Sequence, residues 1–99
     1  MPPDQTTPDA GERTSEFARV LGERLRTARQ AKRPKPWSLE RLGRRARVHW
    51  TYIGEIERGE VNPSVLVLAR IAHALELDLG ELMAALPAPP PGKDPDADE

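Results

Sequence analysis

The side chains able to do chemistry are sparse in most classes and concentrated in one. Two histidines, His49 and His73, fall on separate predicted elements, and cysteine is absent. Thiolate nucleophiles, disulfides and Cys-ligated zinc are therefore excluded. No His or carboxylate stands at metal-ligand spacing from either histidine, so no metal is expected. There is no glycine-rich phosphate loop. No Ser-His-Asp or paired-carboxylate arrangement can be assembled either, because the acids lie near the chain ends or beside arginines. An enzyme is the least supported class, and no cofactor is expected. Positive charge is what the chain concentrates. Residues 19–58 carry twelve Lys/Arg against Glu23, Glu40, Glu55 and Glu57, a local charge of +8. Residues 59–86 carry Arg70 against Glu60, Glu76, Asp78 and Glu81, a local charge of −3, and the formal net charge of −1 conceals the division. A basic half-domain is what an anion-binding face looks like, and a solvated charged face has the same charge pattern.

The elements that must position these charges are helical. Phe17, Leu21, Leu25 and Ala28 recur at three or four residues, as do Val65, Leu68, Ile71, Ala72 and Leu75, and no stretch alternates with period two. Four helix starts share a hydrophobic staple, an apolar residue before the N-cap meeting another five positions on. The pairs are Trp37 with Leu42 around Ser38, Val48 with Ile53 around His49, Val61 with Leu66 around Asn62, and Leu77 with Leu82 around Asp78. Asn62-Pro63 reads as a cap followed by proline at the first helical position, and Asp78 with Glu81 as a capping box. With a first helix from about Ser15 to Lys32, five helices result. Pro34 and Pro36, Arg47, Gly59 and Pro87 supply the stops. Eight of the eleven prolines lie within 1–14 and 87–99, so the organisation expected is a disordered tail over 1–14, a folded domain over 15–86 and a Pro-rich acidic disordered tail over 87–99.

A short helix from Ser38 to Ala46, a turn at Arg47-Val48-His49 and a second short helix over 50–58 have the lengths of a helix-turn-helix. Trp37-Ser38-Leu39-Glu40-Arg41-Leu42, Val48, Tyr52-Ile53, Ile56-Glu57-Arg58-Gly59, Asn62-Pro63-Ser64, Leu68, Ile71-Ala72, Ala74-Leu75 and Leu82 stand at characteristic separations. In this combination the chain resembles the lambda-repressor/Cro-like (Xre-type) helix-turn-helix family over about residues 17–86. The resemblance implies an all-α, compact five-helix DNA-binding domain, commonly a dimeric transcriptional regulator whose third helix enters the major groove. On the matched positions it implies that His49, Trp50, Thr51 and Glu55 face bases. Arg41, Arg44, Arg47, Tyr52, Arg58 and Asn62 become phosphate ligands. Arg29 and Glu57 match a family ion pair that joins helices one and three, a structural role.

Departures from the family pattern cluster in the same region. Leu39 stands where Gln usually grips phosphate, Arg41 where Glu is usual, Arg47 in place of a turn glycine, His49 in place of a Ser or Thr cap, and Gly54 in place of Ser. Arg33-Pro34-Lys35-Pro36 lengthens the turn between helices one and two, which reads either as a basic finger along the backbone or as a tolerated surface insertion. Leu66, Val67 and Ala69 on the outer side of helix four, with Leu79, Met83 and Leu86, offer apolar surface for a homodimer contact, the alternative being a locally covered satellite of the core. The function expected is sequence-specific double-stranded DNA binding by a regulator, repressor-like in type. A protein-binding or antitoxin-like module that keeps the fold as scaffold is the alternative. No apolar run is long enough for a membrane span and Met1-Pro2-Pro3-Asp4 lacks signal-peptide features, so a cytoplasmic protein, nucleoid-associated when on DNA, is expected.

Overall fold

The computed structural model describes residues 15–93; the expected tail over 1–14 and residues 94–99 of the one expected over 87–99 lie outside that range, and 87–93 carries no regular structure. Five helices are present and no strand occurs among the described residues: α1 Glu16–Gln30, α2 Leu39–Ala46, α3 Trp50–Glu57, α4 Val65–Ala74 and α5 Leu79–Met83. No described helix is long and apolar enough to cross a membrane. One core joins all five, built from Leu21 and Leu25 of α1, Leu42 and Ala46 of α2, Ile53 and Ile56 of α3, Leu68, Ile71 and Ala72 of α4, and Leu82 of α5. Trp37 and Leu75 complete it from the connections.

Each helix begins where a side chain takes up an orphan backbone N–H. Ser15 Oγ accepts from Ala18 N–H at 3.1 Å and Ser38 Oγ from Arg41 N–H at 3.0 Å. Asp78 Oδ2 accepts from Glu81 N–H at 3.2 Å. The fourth start differs from expectation. Ser64, not Asn62, is the N-cap of α4, its Oγ accepting from Val67 N–H at 3.1 Å. Pro63 therefore precedes the cap, the Val61–Leu66 staple does not form around Asn62, and Val65 leaves the apolar face to stand 70% exposed. α5 also ends early, at Met83 and not at Pro87. Arg24 of α1 reaches across to it, Nη1 donating to the carbonyls of Leu82 at 2.9 Å and Ala84 at 2.5 Å. Those carbonyls have no partner one turn on, and a cation from another helix replaces it.

The α2–α3 turn is held by a left-handed residue. Arg47 sits at φ 60°, ψ 45°, and Val48 N–H donates back to Gly43 O at 3.0 Å. Gly43 is required for this close return, since a Cβ there would lie 2.7 Å from Val48 O. Glycine occupies the left-handed region freely, whereas a residue with a Cβ is strained there by about 1 kcal/mol. Replacing Arg47 with glycine is therefore expected to raise the unfolding free energy by up to about 0.5 kcal/mol, net of the extra freedom glycine has when unfolded. Urea denaturation of Arg47→Gly checks this, and a loss of stability would mean that Arg47 makes a contact worth more than its strain.

Candidate nucleic-acid interface

The turn brings the end of α2 and the start of α3 to one surface. Glu40, Gly43, Arg44, Arg47, Val48, His49 and Trp50 line an open concavity of about 350 Å³ there. Arg44, Arg47, His49, Trp50 and Thr51 are exposed around it. Trp50 keeps 43% of its surface in solvent, an expensive place for an indole unless something covers it. Its ring lies against the His49 imidazole, with centroids 5.9 Å apart and planes at 24°.

His49 fills the role of the missing cap hydroxyl. Its Nδ1 accepts the Thr51 backbone N–H at 3.2 Å, and Thr51 Oγ1 lies 2.7 Å from the same nitrogen. The first turn of α3 is thus tied together by the residues expected to face bases. Glu55, one turn on, is half-buried, as is Tyr52, which packs against the core.

The expected phosphate ligands separate into groups. Arg44 and Arg47 share the concavity with α3, but Arg41 does not. Its guanidinium lies 4.8 Å from the centre of the Trp37 ring, with Arg45 at 5.2 Å and Lys32 at 4.7 Å around the same indole. Arg41 and Arg45 are four residues apart on α2, so they share the helix side turned from the concavity and find their best neighbour in the ring's negative face. Arg58 is bound to Glu60, through Nε at 2.8 Å and Nη2 at 3.2 Å, and this carboxylate raises the guanidinium above its ordinary pKa. To take a phosphate, Arg58 must exchange one anion for another. Asn62 is exposed in the α3–α4 connection.

Arg33 does not project as a finger. Its Nη1 turns back onto the carbonyls of Gln30, Ala31 and Lys32, closing the end of α1. Leu39 packs toward α3, its Cδ1 3.6 Å from where a Cβ on Gly54 would stand. These two departures from the family pattern are therefore neighbours.

Behind the surface, Arg29 and Glu57 fix α3 to α1. Arg29 Nε and Nη2 donate to the two Glu57 oxygens at 2.8 and 2.9 Å, and Nη1 donates to Trp37 O at 2.8 Å. The side chains are only 12% and 6% exposed. The hydrogen bond to Glu57 raises the Arg29 pKa against the opposing effect of burial. Sequence reasoning missed Gly22, where α1 crosses the end of α3, and Gly43 in the turn. A glycine inside a helical pattern was the available signal for both. It also missed Arg45 and Arg24, whose partners are tertiary.

Leu66 of α4 is 60% exposed beside Val65, while Met83 and Leu86 are half-buried against the core. Val67 and Leu79 are also packed against the core.

A family model described as a helix-turn-helix domain matches residues 20–86. No curated protein matches the chain. Among solved structures, the restriction-modification controller protein C.AhdI from Aeromonas hydrophila is similar at 34% identity, over 66% of this chain and 94% of that one, with a TM-score of 0.61. The clp gene regulator ClgR from Corynebacterium glutamicum is 30% identical over 71% of each chain, with a TM-score of 0.63. The N-terminal DNA binding domain of SinR from Bacillus subtilis is 29% identical over 66% of this chain and 91% of that one, with a TM-score of 0.59. Further SinR structures are complexes with DNA and with the SinI protein.

Proposed function

Because the chain belongs to the helix-turn-helix domain family, we propose that it is a sequence-specific double-stranded DNA-binding transcriptional regulator, repressor-like, that docks α3 in the major groove as a homodimer. The observation that carries this reading is the exposed first turn of α3, with Trp50 and Thr51 outward and Arg44 and Arg47 beside them. Side chains on that turn reach base edges, while cations at the end of α2 and in the turn meet the phosphates on either side. Thr51 supplies a hydroxyl and a methyl, and Glu55 an acceptor suited to cytosine N4. Arg44, Arg47, Tyr52, Arg58 and Asn62 neutralise or grip the backbone, Tyr52 through its hydroxyl while its ring packs on the core. Arg41 contributes from the far flank of α2. The exposed Leu66, with Met83 and Leu86, would supply the contact through which a second copy is held, placing two α3 helices about 34 Å apart.

Two substitutions separate base reading from phosphate binding. Thr51→Ala keeps the backbone N–H bond to His49, so α3 stays capped. It is expected to cost on the order of 1–3 kcal/mol on the preferred site and to relax preference at one or two base pairs. Arg44→Ala is expected to weaken all duplexes about equally and to reduce the salt dependence of log K by about one. Fluorescence anisotropy across a salt series measures both. Equal indifference to the two substitutions in folded protein would assign the fold to a protein-binding scaffold.

A further inference from the structure

The cap of α3 fixes which hydrogen-bonding groups the helix can offer outward. A backbone N–H only donates, so the His49 Nδ1 that takes it from Thr51 at 3.2 Å carries no hydrogen. The neutral imidazole is then the Nε2–H tautomer. The Thr51 hydroxyl, 2.7 Å from that same bare nitrogen, has to spend its proton on it. What remains for a partner is one donor, His49 Nε2–H, and one acceptor atom, Thr51 Oγ1 with its lone pairs. The imidazole lies alongside the Trp50 ring, its Nδ1 holds the cap, and Nε2 has no hydrogen-bond partner among the described residues. Glu40, Arg44 and Arg47 are the charged groups sharing its concavity.

Resting on the DNA-docking reading, we propose that His49 is a specificity-determining residue that donates from Nε2 to a guanine, and that Thr51 accepts from a base amino group beside it. In the major groove guanine alone shows two adjacent acceptors, N7 and O6. Adenine places an amino group next to N7, cytosine shows an amino donor, and thymine sets a methyl next to O4, so a lone N–H is least opposed at guanine. Cytosine N4 and adenine N6 supply the amino donors that Thr51 can accept.

The test uses three variants with good N-caps and the base preferences selected from a random duplex pool. Aspartate caps without any donor; serine caps but is too short to reach a base; asparagine caps through its oxygen, which leaves its N–H where the imidazole Cδ2 stood, short of Nε2. His49→Asn, whose N–H is displaced from where Nε2 stood, is expected to weaken a guanine preference at one half-site position. His49→Asp and His49→Ser are expected to lose it, the guanine-to-adenine affinity ratio falling three- to tenfold, the scale of one net hydrogen bond. Thermal unfolding checks that each variant remains folded, and either of the two donor-free variants suffices. A preference profile unchanged in a folded donor-free variant, or in His49→Ser a uniform loss on all sequences as for a phosphate contact, overturns the proposal. If the unsubstituted protein selects no sequence at all, the DNA-docking reading itself fails.

Discussion

Gly22→Ala is expected to lower the unfolding free energy by about 3 kcal/mol, a large share of what holds so small a domain together. A Cβ on Gly22 would run into the carbonyl oxygens of Ile56 and Glu57, which belong to the last turn of α3. Both obstacles are backbone, so no rotamer change relieves them, and α1 has to lift from α3 or bend. The intrinsic gain of alanine over glycine inside a helix, about 1 kcal/mol, is overwhelmed. The same substitution at Gly54 is the contrasting case. There a Cβ would meet Leu39 Cδ1 at an ordinary 3.6 Å and Arg58 Nη1 at 3.2 Å, the free end of an exposed side chain that can move. Gly54→Ala is expected to raise stability by about 0.5–1 kcal/mol. Urea unfolding of the two variants gives opposite signs if α1 is seated on α3 as described. A neutral Gly22→Ala would show that the two helices do not cross there.

The second large effect follows from the ion pair beneath the same crossing. Glu57→Ala is expected to cost about 3–5 kcal/mol, because it leaves the Arg29 guanidinium largely out of water with its main anion removed. Replacing both partners with apolar residues, as in Arg29→Met with Glu57→Leu, removes the stranded charge and should recover most of the loss. Recovery stays incomplete because Arg29 also donates to Trp37 O, and that carbonyl loses its partner in the double variant. A double-mutant cycle by urea unfolding measures the coupling, and additive losses would mean that the two side chains do not depend on each other in solution.

What could be read in the sequence was local. Ser38, His49 and Asp78 were identifiable as caps because the staple residues around each lie within five positions. Helix α4 misled the same logic because Asn62 and Ser64 are both good caps flanking Pro63, and proline is tolerated before a cap as well as after one. The early end of α5 was not legible, since it depends on Arg24, fifty-eight residues away from Leu82. The placement of Arg41 was hidden for a related reason. Its position on α2 was clear, but the indole that draws it away from the concavity is positioned by tertiary packing. The missing turn glycine and cap hydroxyl turn out to be replaced by a left-handed Arg47 and an imidazole cap, solutions that local propensity ranks low.

Selection of bound duplexes from a random pool by the purified protein shows whether α3 reads base sequence. A paired α3 in the major groove gives enrichment of a two-fold symmetric sequence whose half-sites are one helical turn apart, with preferences weakened at one or two positions in Thr51→Ala. A pool that emerges unenriched, with the protein folded and binding duplexes through charge alone, would mean that α3 does not read bases.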